Sequence, residues 1–222
     1  MQGFGAFGKM PSVGDFFRIQ PPSGFVQVWD DWLQSALMTG QSVLGAAWDS
    51  HYMSAPIWRF TLSAGLAGPH KVIGVLMPSV DRVGRRFPLT LMSSLSTPGP
   101  AARDHLQETE LFLQLENAAL DALEDTMTRD MLQSNLAALT INTDPPGPPL
   151  QQAGRSLVLT GAQNTIELAS GLLTARIAAP SLWSCIVHDI PRMLICDGLP
   201  AGPDVQGLFD LKAPVWSEAR PV

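Results

Sequence analysis

The chain has 222 residues, 45% of them apolar and only 15% charged, with a formal net charge of −6. That apolar content is enough for a sizeable buried core, and the acidic balance excludes a nucleic-acid binder, which needs clustered Lys and Arg against phosphate. No segment approaches the roughly 20 apolar residues of a membrane-spanning helix and no basic-then-apolar leader opens the sequence, so a cytoplasmic protein without membrane insertion is expected.

The N-terminus carries Gly3-Phe4-Gly5-Ala6-Phe7-Gly8, which has the G-x-G-x-x-G spacing of a dinucleotide-binding turn. The strand that must lead into such a turn has no room, and Pro11 and Gly14 spoil the helix that should follow, so the spacing reads as coincidence. The segment Gly8-Lys9-Met10-Pro11-Ser12-Val13-Gly14-Asp15-Phe16-Phe17-Arg18 reads as an ordered loop. In it Gly14 supplies a backbone angle that other residues resist, Asp15 accepts neighbouring backbone N–H groups, and Phe16 and Phe17 turn to the core.

Pro21-Pro22-Ser23 then opens a helix. Phe25, Val28, Trp29, Trp32, Leu33, Ala36 and Leu37 recur at helical spacing, which places the tryptophans in the core rather than in a ligand box. Runs rich in β-formers follow at 57–62, 71–77 and 87–95 and are expected to form one sheet under that helix. The connection between the last two, about nine residues, is longer than a hairpin needs. It contains Pro78-Ser79-Val80-Asp81-Arg82-Val83-Gly84-Arg85-Arg86, where three of the chain's fourteen basic residues fall within five positions. Arginine suits bidentate capture of carboxylate or phosphate. Ser79 and Asp81 are placed to stiffen the loop through its backbone, and Gly84 permits a turn that forks the arginines. An internal clasp, with Asp81 or Asp15 holding one arginine, is the competing reading.

A long helix is expected from about residue 101 to 125, with Phe112, Leu115, Ala119 and Leu123 on its buried stripe. Its acidic residues, Glu108, Glu110, Glu116, Asp121, Glu124 and Asp125, read as a solvated face. A further helix is expected over 127–139, followed by a stiff, extended proline-rich run at 144–149. Beyond it, 156–159 and 193–196 read as strands and 165–177 as a helix. About 70 residues make a marginal core on their own. Residues 1–222 are therefore expected to be a single domain, in which a motif-rich core at 1–140 and a C-terminal part at 150–222 share one sheet.

Catalytic and metal signatures are missing from the sequence. His51, His70, His105 and His188 have no partner at metal-ligand spacing except Cys185, three residues before His188, and two ligands do not make a site. There is no G-x-S-x-G elbow and no phosphate-binding G-x-x-x-x-G-K-[ST] loop. Cys185 and Cys196 are too few for a disulfide framework and are expected to be buried free thiols. No catalytic residue, metal or cofactor is expected.

The chain resembles the TagF family, also called ImpM or SciT, of type VI secretion accessory proteins. The resemblance rests on Gly8 to Ser12 with Gly14-Asp15-Phe16, on Phe25-Val26 through Trp29-Asp30 and Trp32-Leu33, on Trp58-Arg59-Phe60 leading to Gly65, and above all on Gly74-Val75-Leu76 with Pro78 to Pro88. Beyond about residue 95 only Ser181-Leu182-Trp183 and Gly198-Leu199-Pro200 carry it, and Ser184 stands where relatives often have a second tryptophan. The resemblance implies an α/β fold, a three-layer α/β/α sandwich around one mixed, largely antiparallel sheet. It also implies a post-translational negative regulator that binds type VI secretion components, directly the forkhead-associated (Fha) scaffold protein, with a functional link to a PppA-like phosphatase. The partner or ligand surface is expected at Lys9, Ser12, Asp15, Arg18, Ser79, Asp81, Arg82, Arg85 and Arg86, on two loops lying side by side. Two rivals remain: a sensor in which the arginine loop binds a small anionic or phosphorylated ligand, and a hydrolase built on Asp15, Ser79, Asp81 and the arginines.

Overall fold

The helical spacing that starts at Phe25 becomes α1 (Phe25–Leu44) in a computed structural model, which describes residues 3–142, 145, 147–161 and 165–221. Its buried residues, Phe25, Trp29, Leu33, Ala36 and Gly40, follow one another every three or four positions, the stripe that a 3.6-residue period turns to one side. Val28, expected on that stripe, is 41% exposed, and Trp32 is half-buried with its indole N–H donating to Pro200 O at 2.9 Å. The stripe is narrower than the sequence suggests.

Under α1 lies a sheet of β1 (Gly5–Gly8), β2 (Phe17–Ile19), β3 (Trp58–Leu62), β4 (Lys71–Met77), β5 (Leu89–Leu95), β8 (Pro180–Val187) and β9 (Ile190–Asp197), in the order β2-β1-β5-β4-β3-β8-β9. The short β6 (Gln151–Ala153) and β7 (Ser156–Val158) pair separately. The sheet is antiparallel in each of these pairings rather than mixed. The G-x-G-x-x-G segment forms strand β1 with its lead-in, and Gly5 and Gly8 admit close backbone neighbours. A Cβ on Gly5 would stand 2.3 Å from Ile19 O, and one on Gly8 2.1 Å from Pro88 O. Beyond the proline-rich run, of which Asp144 and Pro146 lie outside the described residues, the chain returns to add β8 and β9 beside β3.

Alternation along each strand builds two cores. Phe60, Leu62, Trp183 and Met92 pack with α1, α2 (Trp48–Ser54), α7 (Pro203–Phe209) and the residues around α8 (Pro214–Ser217). Ile73, Val75, Leu89 and Leu91 pack on the opposite face with α4 (Thr109–Asp121) and α5 (Arg129–Ala137). On that same face Leu182 meets Ala101 and Ala102 of α3 (Ala101–Gln107), which α6 (Thr165–Arg176) flanks through Leu173. Helices on both faces make three layers.

The helix expected over 101–125 is two helices, broken at Glu108, whose backbone leaves the helical region at φ −85° and ψ 41°. Its acidic face is not all solvated. Glu116 grips Arg59 through two hydrogen bonds of 2.7 Å each, and Glu108 is buried, accepting from Asn142 N–H at 3.1 Å. Leu123 falls beyond α4 and is 39% exposed. Burial pushes the free thiols of Cys185 and Cys196 up to about 11 and about 12. Among the described residues no helix is long and apolar enough to cross a membrane.

Candidate functional site

β1 and β5 are antiparallel neighbours, so the end of β1 meets the start of β5, and the loops attached there leave the sheet side by side. Gly8, at φ +134° and backed by the Pro88 carbonyl, fixes this close approach. Hydrogen bonds to backbone carbonyls then stitch the second loop to the first: Arg82 N–H donates to Val13 O at 3.2 Å, the Arg82 guanidinium to Ser12 O at 2.6 Å, and that of Arg85 to Gly14 O at 2.8 Å.

Asp81 is the keystone. Its Oδ1 accepts the backbone N–H groups of Val83 at 3.1 Å and Arg85 at 2.9 Å, curling the loop into a turn completed by Gly84 at φ +81°. Its Oδ2 takes Lys9 Nζ at 3.0 Å from the first loop and Arg85 Nε at 2.6 Å from its own. Burial alone would raise this carboxyl. The Arg85 backbone N–H, the Lys9 ammonium, the Arg85 guanidinium and the Val83 N–H outweigh it and hold Asp81 well below the usual carboxylate range.

Other expected site residues are placed differently. Asp15 accepts a neighbouring backbone N–H as expected, that of Phe16 at 2.8 Å, but among the described residues it pairs with no arginine. The arginine island is divided, because Arg86 leaves the loop pair for Asp49 of α2 at 2.9 Å. Arg18 projects from β2 with its guanidinium 5.6 Å from the Phe7 ring centre. The Ser79 backbone is held by Tyr52, whose hydroxyl donates to Ser79 O at 2.8 Å and accepts from Ser79 N at 3.1 Å. The hydroxyls of Ser12 and Ser79 are buried without a partner among the described residues.

Phe17 is buried as expected, but Phe16 is 49% exposed. Its ring nevertheless has fixed neighbours: it meets Phe87 edge-on at 4.7 Å, and Lys9 Nζ lies 4.8 Å from its centre. Val83, in the turn of the second loop, is 71% exposed. The paired loops therefore present an apolar centre flanked by guanidinium groups.

A second polar cluster, unmarked in the sequence, lies beneath α3. His105 is bonded through Nδ1 to Thr61 Oγ1 and through Nε2 to Ser184 Oγ, both at 2.9 Å, at the floor of a cleft of about 420 Å³ also lined by Arg59 and Met193. Burial, and after it the Arg59 charge, pushes the imidazole down to about 3. An imidazole so hard to protonate is a weak general base, so the serine–histidine contact reads as a neutral structural network. The unfolded value is about 6.5; hence the neutral imidazole contributes stability that is fully present above that pH and is lost as pH falls towards 3. Between pH 7 and 4.5 this is on the order of 3 kcal/mol. A fall of about 5–10 °C in the thermal midpoint should follow, with a flatter profile in His105→Asn. Identical pH profiles for the two proteins would refute this role.

Residues 5–139 match the family described as TagF N-terminal domain, type VI secretion system-associated. The chain is also similar to the crystal structure of PA0076 from Pseudomonas aeruginosa PAO1, with 30% sequence identity and a TM-score of 0.76, over 99% of this chain and 97% of that one. No curated protein matches it significantly.

Proposed function

Because this chain belongs to the TagF family of type VI secretion system-associated proteins, we propose that it restrains secretion after translation, by holding a scaffold component in the cytoplasm and without catalysing a reaction. The scaffold is the forkhead-associated (Fha) protein of the system, and the functional link runs to a PppA-like phosphatase. The observation that carries this reading is the stitched pair of loops at 9–16 and 78–88. Backbone carbonyls and Asp81 hold Arg82 and Arg85 in place before any partner arrives. Preorganisation of this kind removes part of the ordering cost of association. It also favours a rigid docking surface over a ligand-sensing cage, which would keep its guanidinium groups free. The addition of β8 and β9 to the sheet supports treating residues 1–222 as one domain.

The test is co-purification of the tagged protein with the other cytoplasmic secretion components. Enrichment of the Fha scaffold is the expected result. Recovery of those components at background level, with the bait folded, would sink the reading.

A further inference from the structure

The paired loops have the anatomy of an interface: an apolar centre with charge at its rim. The centre is Phe16, half exposed, set against Phe87 and under the Lys9 ammonium, and the second loop adds Val83, an exposed apolar side chain. An immobilised aromatic ring at the surface loses little freedom when it is covered, which suits it to anchor a partner.

The rim is positive in a chain whose net charge is −6. Lys9 and Arg85 share the single carboxylate of Asp81, which leaves that trio with excess positive charge. The Arg82 guanidinium donates to a carbonyl, and among the described residues neither Arg82 nor Arg18 forms an ion pair. Asp15 is the opposing charge, and it is engaged with the Phe16 N–H. The field at this face therefore favours carboxylates over cations.

We infer that the face around Phe16, Val83, Arg82 and Arg85 takes an acidic protein segment, rich in Asp and Glu and carrying a large apolar residue that covers Phe16. This rests on the reading of the paired loops as the docking surface, and it adds the chemistry of what docks. The arginines supply charge-assisted hydrogen bonds to the segment's carboxylates, and the apolar residue expels water from the centre.

The test is an NMR titration of the full chain, following the Phe16 and Val83 amides and the Nε–H signals of Arg82 and Arg85. The probe is a synthetic peptide with a central Leu-Phe pair flanked by glutamates. Two control peptides replace the glutamates with glutamines or lysines, and a third replaces Leu-Phe with Ala-Ala. The acidic peptide should bind at these signals, with affinity that falls as salt rises. Arg82→Ala and Phe16→Ala should each weaken it by about tenfold or more, with thermal midpoints recorded to show that both variants fold. Equal binding of the lysine or glutamine peptide would overturn the charge assignment, and equal binding of the Ala-Ala peptide would overturn the apolar anchor. Binding to phosphatidylserine vesicles in place of the peptide would assign the face to a membrane and also overturn it. If the peptide fails to bind while scaffold capture still depends on Arg82, the acidic-segment inference alone is wrong. If neither responds to Arg82→Ala, the docking-surface reading falls as well.

Discussion

Asp81→Ala should lower the thermal midpoint by about 6–20 °C, the range for stranding a buried charge in a chain of this size. The change removes the acceptor of two backbone N–H groups that shape the turn and leaves Lys9, whose side chain is 6% exposed, without its carboxylate. A loss of this size comes from the unpaired ammonium more than from any net value of the ion pair. Adding Lys9→Met to Asp81→Ala should therefore recover part of the stability, because no charge is then stranded. Thermal melts of the two variants check this. A midpoint unchanged by Asp81→Ala, or a double variant less stable than the single one, would show that the clasp does not bind the loops together.

Trp29→Ala should cost about 3–5 kcal/mol, again roughly 6–20 °C of midpoint. Trp29 is fully buried, with ring centres of Phe25, Trp32 and Phe60 at 5.0, 4.7 and 4.8 Å and Trp183 stacked at 6.0 Å. Its indole N–H donates to Thr90 Oγ1 at 2.9 Å, so truncation both opens a cavity and takes a partner from a buried hydroxyl. Val28→Ala, one position away on the exposed side, should change stability by less than about 0.5 kcal/mol. Denaturant titration of both variants reads the register of α1 directly. Comparable losses at the two positions would contradict the orientation described.

Features carried by local chemistry were legible before the fold was known. Glycine and charge concentrate at 78–88 because the chain turns there through Gly84 and brings Asp81 under Lys9, and the helical spacing from Phe25 marks a buried stripe, whereas Gly14 takes no positive φ and meets nothing close. Features decided by tertiary approach were not legible. Gly5 and Gly8 are poor strand formers by propensity, yet the close approach of Ile19 and Pro88 makes them the residues that fit. The β8–β9 hairpin turns through His188 and Asp189, both at positive φ, in place of the Asn-Gly pair that would announce such a turn. Which carboxylate holds Arg85 depends on how the loop curls, and the capture of Arg86 by Asp49 depends on where α2 packs; neither is written in spacing. The Thr61–His105–Ser184 network draws one residue each from β3, α3 and β8, so it leaves no motif.

The account turns on Arg82 and Arg85 belonging to a surface that captures the secretion scaffold, with Arg86 held apart from it by Asp49. Single alanine substitutions at these positions, each measured for thermal midpoint and for Fha scaffold capture at equal folded concentration, test this most directly. Arg82→Ala should lose capture by the equivalent of about 2–5 kcal/mol if its contact is buried in the complex, with a small change in stability, because Arg82 strands no carboxylate when removed. Arg85→Ala should lose both capture and stability, since it also serves Asp81. Arg86→Ala, tied to exposed Asp49 away from the loop pair, should retain the most capture. Loss of stability in all three variants with capture intact would contradict the account and leave the motif as a structural clasp.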